Sequence, residues 1–279
     1  MASSKSIILD GFKESFSAIW KNKLLFLLLF ILQLVFFALI SYVNLNYQTK
    51  ILESAKAITD YLNKQQLDEA SLAKNVLEQK SILGDDPLSV SRNFNEMLKN
   101  FREYLIYLFL LLLLFISIMW ALTHGLIHKI NFKKTLKNLL KIFVVLLFYL
   151  SLIFLFFFSL FNISIADITM ESSTFFVKYL VFLIFSVILA FFMFVSLALA
   201  GKTELGKIVQ KTLSVGIKKI HYVLLVYFIN IALLIIPVIL IYDFIEKNQI
   251  VLFASIALFI LVIIFSRIFM VNVIEKLEI

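Results

Sequence analysis

Six stretches of the chain contain no Asp, Glu, Lys or Arg and are overwhelmingly apolar: 24–49, 104–128, 142–166, 179–201, 220–242 and 248–266. A helix needs about 20 such residues to cross a hydrocarbon core of about 30 Å. Trimmed to that length, the runs predict six transmembrane helices at 24–43, 104–122, 142–161, 179–200, 222–242 and 248–267. The expected class is an all-α polytopic integral membrane protein, with residues 1–279 forming a single six-span membrane domain. Composition agrees, since 62% of residues are hydrophobic and 16% charged, whereas a water-soluble domain carries roughly 25% charged residues. The absence of Cys excludes disulfides, thiolate metal sites and cysteine nucleophiles. The first run is too long for the apolar core of a cleavable signal. Bulky Tyr42, Val43 and Leu45 stand where small residues would be needed for cleavage, so it is expected to remain as an anchor.

Orientation follows from Lys and Arg in the short connections. Lys5, Lys13, Lys21 and Lys23 precede the first span; Lys129, Lys133, Lys134, Lys137 and Lys141 lie in the second loop, and Lys202, Lys207, Lys211, Lys218 and Lys219 in the fourth. With the C-terminal tail, one side has 16 basic and 5 acidic residues and the other 10 and 13. The expectation is a cell-membrane protein with both termini cytoplasmic. The net charge of +8 is then a topogenic signal and a surface for anionic lipid headgroups. Nucleic acid is not an expected partner, because no recognition motif accompanies the basic residues.

The segment from Phe12 to Lys21 is echoed from Phe132 to Lys141 and again from Val209 to Lys218. The shared pattern has Ser or Thr at the fourth position (Ser15, Thr135, Thr212). Apolar residues at i, i+4, i+7 and i+8 line one helical face, with Gly216 the exception. Each copy precedes a pair of spans. The chain therefore reads as three parallel repeats of amphipathic helix plus two spans about a pseudo-threefold axis, with interfacial helices expected at 8–22, 128–141 and 203–219. Through Asp10-Gly11-Phe12-Lys13, Trp20-Lys21-Asn22-Lys23 before a long Leu/Phe span, and the two echoes, the sequence resembles a group of uncharacterised prokaryotic six-span membrane proteins. That group includes the membrane region fused to some glycerophosphodiester phosphodiesterases. The resemblance transfers no catalytic residue, since no soluble phosphodiesterase domain is present.

Residues 44–103 form an outward-facing helical insertion. Stripes run at Ile51, Ala55, Ile58 and Leu62, at Leu67, Ala70, Lys74 and Leu77, the second broken at Lys74, and at Val90, Phe94, Met97 and Phe101, with a helix stop and restart at Gly84-Asp85-Asp86-Pro87 between the second and third. Its 8 basic and 9 acidic residues predict a solvated helical surface.

Ionisable residues inside spans are the usual pointers to function, and here the spans are nearly free of them. Arg267 is expected to snorkel from the end of the last span. The candidate polar intramembrane cluster is Gln33, Asn230, Ser117 and Ser151, with Ser186 and Ser255 also embedded; buried amides bond across helices. His124 and His128 share a helical face, but a metal site needs further ligands. The remaining histidine, His221, is at another interface, so the pair reads as interfacial histidines and no metal is expected. No nucleophile elbow, phosphate-cradling loop or paired carboxylate appears, hence no catalytic residue and no cofactor. Candidate anionic-lipid contacts are Lys133, Lys134, Lys137 and Lys141. The expected function is that of a non-enzymatic integral membrane protein, structural or accessory, meeting lipid or a membrane-protein partner. The alternative is a transporter or channel-like permease with a path along the pseudo-threefold axis.

Overall fold

The computed structural model describes residues 4–64, 87–128, 132–160 and 172–278. The stripe at 67–77, the turn at Gly84-Asp85-Asp86 and Lys129 lie outside the described residues. Among the described residues eight helices follow in order: α1 (Ser4–Lys21), α2 (Lys23–Lys64), α3 (Pro87–His128), α4 (Phe132–Leu160), α5 (Ser172–Leu199), α6 (Leu205–Lys218), α7 (Ile220–Phe244) and α8 (Gln249–Leu277). Six of them are long and apolar enough to cross a membrane. The protein is all-α and multi-pass, because in lipid a helix satisfies its own backbone N–H and C=O groups.

The helices outrun the predicted spans. α2 and α3 each contain 42 residues, about twice what the hydrocarbon requires, since helical hydrogen bonding continues where apolar composition ends. The chain divides into two compact units, one of residues 1–37 and 112–279 and one of residues 38–111. In the smaller unit Tyr47 packs against the rings of Tyr104 and Tyr107, and its hydroxyl donates to Glu103 Oε2 at 3.4 Å.

In the larger unit, the three return spans α3, α5 and α8 are buried deeply at one end. Met119 to Ala121 and Thr123 to Leu126 in α3, Val195 to Ala200 from α5 onward, and Ile268 to Glu275 in α8 are all buried. The basic segments surround these ends. Ser15 of α1 accepts from Asn272 Nδ2 of α8 at 2.9 Å and donates to Gly11 O at 2.7 Å. Gly125 of α3 lies against Thr135 of α4, where an added Cβ would stand 3.6 Å from Oγ1. Thr212 of α6 shares a 3.0 Å hydrogen bond with Ser196 of α5, which shares another at 3.1 Å with Tyr149 of α4. The three residues at the fourth position of the echoed segment thus each meet a return span that precedes them in cyclic order.

Each basic segment also reaches the return span that follows it. Asn22 Nδ2 donates to Leu126 O at 2.8 Å, Lys141 Nζ to Ala200 O at 2.9 Å and Thr203 O at 3.2 Å, and Lys211 pairs with Glu278. The Leu126 and Ala200 oxygens are carbonyls that a helix end leaves without intrahelical donors.

The middle segment departs from the expected pattern. α1 and α6 are separate helices, broken from their spans at Asn22 and Lys219, whereas 132–141 is continuous with its span in α4. The expectation of a distinct helix at 128–141 therefore does not hold. Physically, nothing between Phe132 and Leu160 breaks a helix, and Lys141 is drawn sideways onto the end of α5 without leaving helical geometry.

Candidate functional site

Three buried or half-buried side chains converge where the ends of α3 and α8 meet. His124 and His128 are one helical turn apart on α3, so their rings lie on one face and stack with centroids 6.0 Å apart. Glu275 from the last turns of α8 enters beside them. His128 Nε2 donates to Glu275 Oε1 at 2.8 Å, and His124 Nδ1 stands 3.8 Å from the same oxygen. The other carboxylate oxygen, Oε2, accepts from Lys202 Nζ at 2.7 Å. One donor atom from each of His124, His128 and Glu275 can be chosen so that all three lie within 4.8 Å of one another.

His124 is fully buried, and its Nε2 lies 2.9 Å from Leu197 O at the end of α5. A carbonyl only accepts, so Nε2 carries the hydrogen and the tautomer is fixed. Nδ1, aimed at Glu275, has no hydrogen-bond partner. Gly201 lies against this edge of the ring: an added Cβ would fall 2.7 Å from His124 Cγ and 2.8 Å from Cε1. Glycine is therefore required for the chain leaving α5 to pass the imidazole.

The spacing of the histidines is legible in the sequence; their carboxylate partner is not. Glu275 is 147 positions from His128 and reads as one more charge in a polar tail. Nothing local marks it as buried.

The predicted intramembrane cluster is only partly assembled. Gln33 Oε1 accepts from the Arg267 guanidinium at 3.3 Å, and Asn230 Nδ2 donates to Ser266 O at 3.4 Å, so both amides approach adjacent residues of α8. Ser117 instead donates to Leu113 O of its own helix at 2.6 Å, and Ser151 is half-buried in α4. Ser255 likewise bonds its own helix, at Val251 O. A cavity of about 230 Å³ is lined by Trp120, Tyr227, Asn230, Ser266 and Arg267 among others. Arg267 is not at a helix end, because α8 runs on to Leu277, and its Nε has no hydrogen-bond partner.

Of the candidate lipid contacts, Lys133, Lys134 and Lys137 are exposed on α4. Lys141 is set apart from them, half-buried and committed to the carbonyls of Ala200 and Thr203. Around the same end of the molecule, apolar residues point outward at matching positions of the echoed segments: Phe16 and Trp20, Leu136 and Leu140, and Leu213 and Ile217, each between 45% and 74% exposed. Gly216, which interrupts the third stripe, faces inward, where an added Cβ would meet the rings of Phe191 and Phe192.

No family model, curated protein or solved structure matches the chain.

Proposed function

We propose that this multi-pass protein is a non-enzymatic, structural or accessory component of the cell membrane. Its basic end faces the cytoplasm and gathers anionic lipid headgroups. The observation that carries the reading is the pairing, in each echoed segment, of outward apolar side chains with neighbouring lysines. In water, Trp20, Leu140 and Ile217 would each expose a large apolar surface. At a bilayer interface the same surface enters the acyl boundary while lysines such as Lys133, Lys134, Lys207 and Lys218 reach the phosphates.

The contacts of Ser15, Thr135 and Thr212 in cyclic order support three parallel repeats, with the second interfacial segment merged into its span. The likeness to prokaryotic six-span proteins is proposed on the same segments.

The test replaces Lys133, Lys134 and Lys137 with Gln and leaves Lys141 in place to hold α4 to α5. Mass spectrometry of lipid extracted at fixed ionic strength should show less co-purifying anionic lipid, with the six spans still inserted. Each lysine contributes about 1 kcal/mol near an anionic leaflet, so the loss should shrink in high salt. Unchanged lipid retention overturns the reading.

The permease alternative is favoured by one observation, the cavity beside Arg267, where Asn230 Oδ1, Ser266 Oγ and Arg267 Nε have no hydrogen-bond partners. A polar solute would satisfy them. Solute flux into proteoliposomes that is lost on Asn230→Leu would move the assignment to this reading.

A further inference from the structure

We propose that His124, His128 and Glu275 bind one divalent first-row transition ion of the Zn²⁺ class, tying the end of α3 to the end of α8. Two acceptor atoms face each other at this junction. His124 Nδ1 bears a lone pair, since Nε2 gives its hydrogen to Leu197 O. It faces a carboxylate oxygen, another acceptor, at 3.8 Å. That separation is too long for a hydrogen bond. It is close to the spacing of two ligands on one ion, about 3.3 Å apart when each metal bond is about 2.0–2.1 Å in a tetrahedron. A cation between Nδ1 and Oε1 would satisfy both atoms.

The remaining parts of a metal site are also present. His128 supplies a second imidazole through Nε2 once its ring backs away from Oε1, since their 2.8 Å separation is a hydrogen bond and shorter than the spacing of two ligands on one ion; its proton then resides on Nδ1, a tautomer shift within a neutral ring with no net proton release. The surroundings orient the ligands as outer-shell groups do. Leu197 O fixes the His124 tautomer, Gly201 leaves room at the ring, and Lys202 holds Oε2 so that Oε1 is turned to the histidines. Two nitrogen donors and one carboxylate suit zinc, cobalt or nickel better than magnesium or calcium, which take oxygen ligands. Three protein ligands leave at least one coordination position open. Lys202, about half exposed, marks the side from which an ion can arrive.

The experiment uses the full chain in detergent, without a histidine tag and stripped of metal by chelator. It is titrated with Zn²⁺ against a competing indicator, and with Co²⁺ followed by visible absorption. The expected result is one ion per chain and a cobalt spectrum of low coordination number. Zn²⁺ should raise the unfolding temperature of the wild type, and millimolar Mg²⁺ should not compete. His128→Gln, at the least buried ligand, should weaken binding by more than the roughly 10- to 100-fold typical of outer-shell changes. His221→Gln, at a histidine outside the cluster, should leave binding unchanged. Monodisperse elution and unchanged helical circular dichroism establish that the variants are folded. If His128→Gln is misfolded, Glu275→Gln replaces it with the same expected loss. Failure of the wild type to bind one Zn²⁺, equal affinity in the ligand variants, or equal loss in His221→Gln overturns the proposal.

Discussion

α7 and α8 are consecutive spans joined by a short turn at 245–248, with Asn248 capping α8 by accepting from the N–H groups of Ile250 and Val251. Both are strongly apolar, yet they are buried in different ways. α7 buries Val223, Val226, Asn230 and Pro237, a single stripe at helical spacing. α8 buries every residue from Ile268 to Glu275, so its final turns are enclosed on all sides. The ends of α3 and α5 share that enclosure and also carry buried polar groups, Thr123 and His124 in one and Ser196 in the other. The outgoing span faces lipid, and the return span is an interior element at the basic end. Hydropathy cannot separate them, because lipid and protein interior are about equally apolar. Polar side chains in the enclosed turns do separate them, since each needs a protein partner.

The largest effect should come from truncating a ring on each side of this comparison. Phe269→Ala removes a fully buried side chain that packs against Phe12 and Phe265. It should cost about 2–3 kcal/mol, somewhat below the 3–5 of a water-soluble core because lipid replaces water as the reference. Phe228→Ala, on the exposed face of α7, should change stability by less than about 0.5 kcal/mol. Reversible unfolding in mixed micelles measures both, and equal losses would erase the distinction between the two helices.

A somewhat smaller effect is expected at the glycines of α6. Gly216→Leu drives a side chain into Phe191 and Phe192, and should cost about 1–3 kcal/mol. At Gly206 nothing lies within 4 Å of an added Cβ, so Gly206→Ala should be neutral or gain up to about 1 kcal/mol in helix propensity. The same unfolding assay would contradict the inward assignment of Gly216 if the two substitutions behaved alike.

The smallest effect should be at the rim. Lys276 pairs with Glu14 at 2.8 Å, and the glutamate is about half exposed. Glu14→Gln is expected to lower stability by less than about 1 kcal/mol, and high salt should erase the difference. A larger loss would mean that α1 is held to α8 by charge, and not by the packing of Gly11 against Val273 and of Phe12 against Phe269.

The sequence contained the fold where local physics decides it. All six spans are helices, because charge-free runs of this length have no other way to satisfy their backbone in lipid. The outward stripes at Phe16, Leu136 and Leu213 were legible from periodicity alone, as was the shared face of His124 and His128. Three features were hidden because they depend on distant contacts. Glu275 becomes a buried partner only when α8 packs beside α3. Lys141 looks like its lysine neighbours until the end of α5 draws its ammonium away from lipid, and Arg267 looks terminal until α8 continues past it.

Under the proposed function the basic helices lie at the cytoplasmic surface with their apolar stripes in lipid. Because the chain has no cysteine, single cysteines along α6 test it directly in intact and permeabilised cells. Cysteines at Lys207 and Ser214 should react with a membrane-impermeant maleimide only once the cytoplasm is opened. Those at Val209, Leu213 and Ile217 should resist it and react with a lipid-soluble reagent. Uniform labelling along the helix, or labelling of Lys207 from outside intact cells, would overturn that placement.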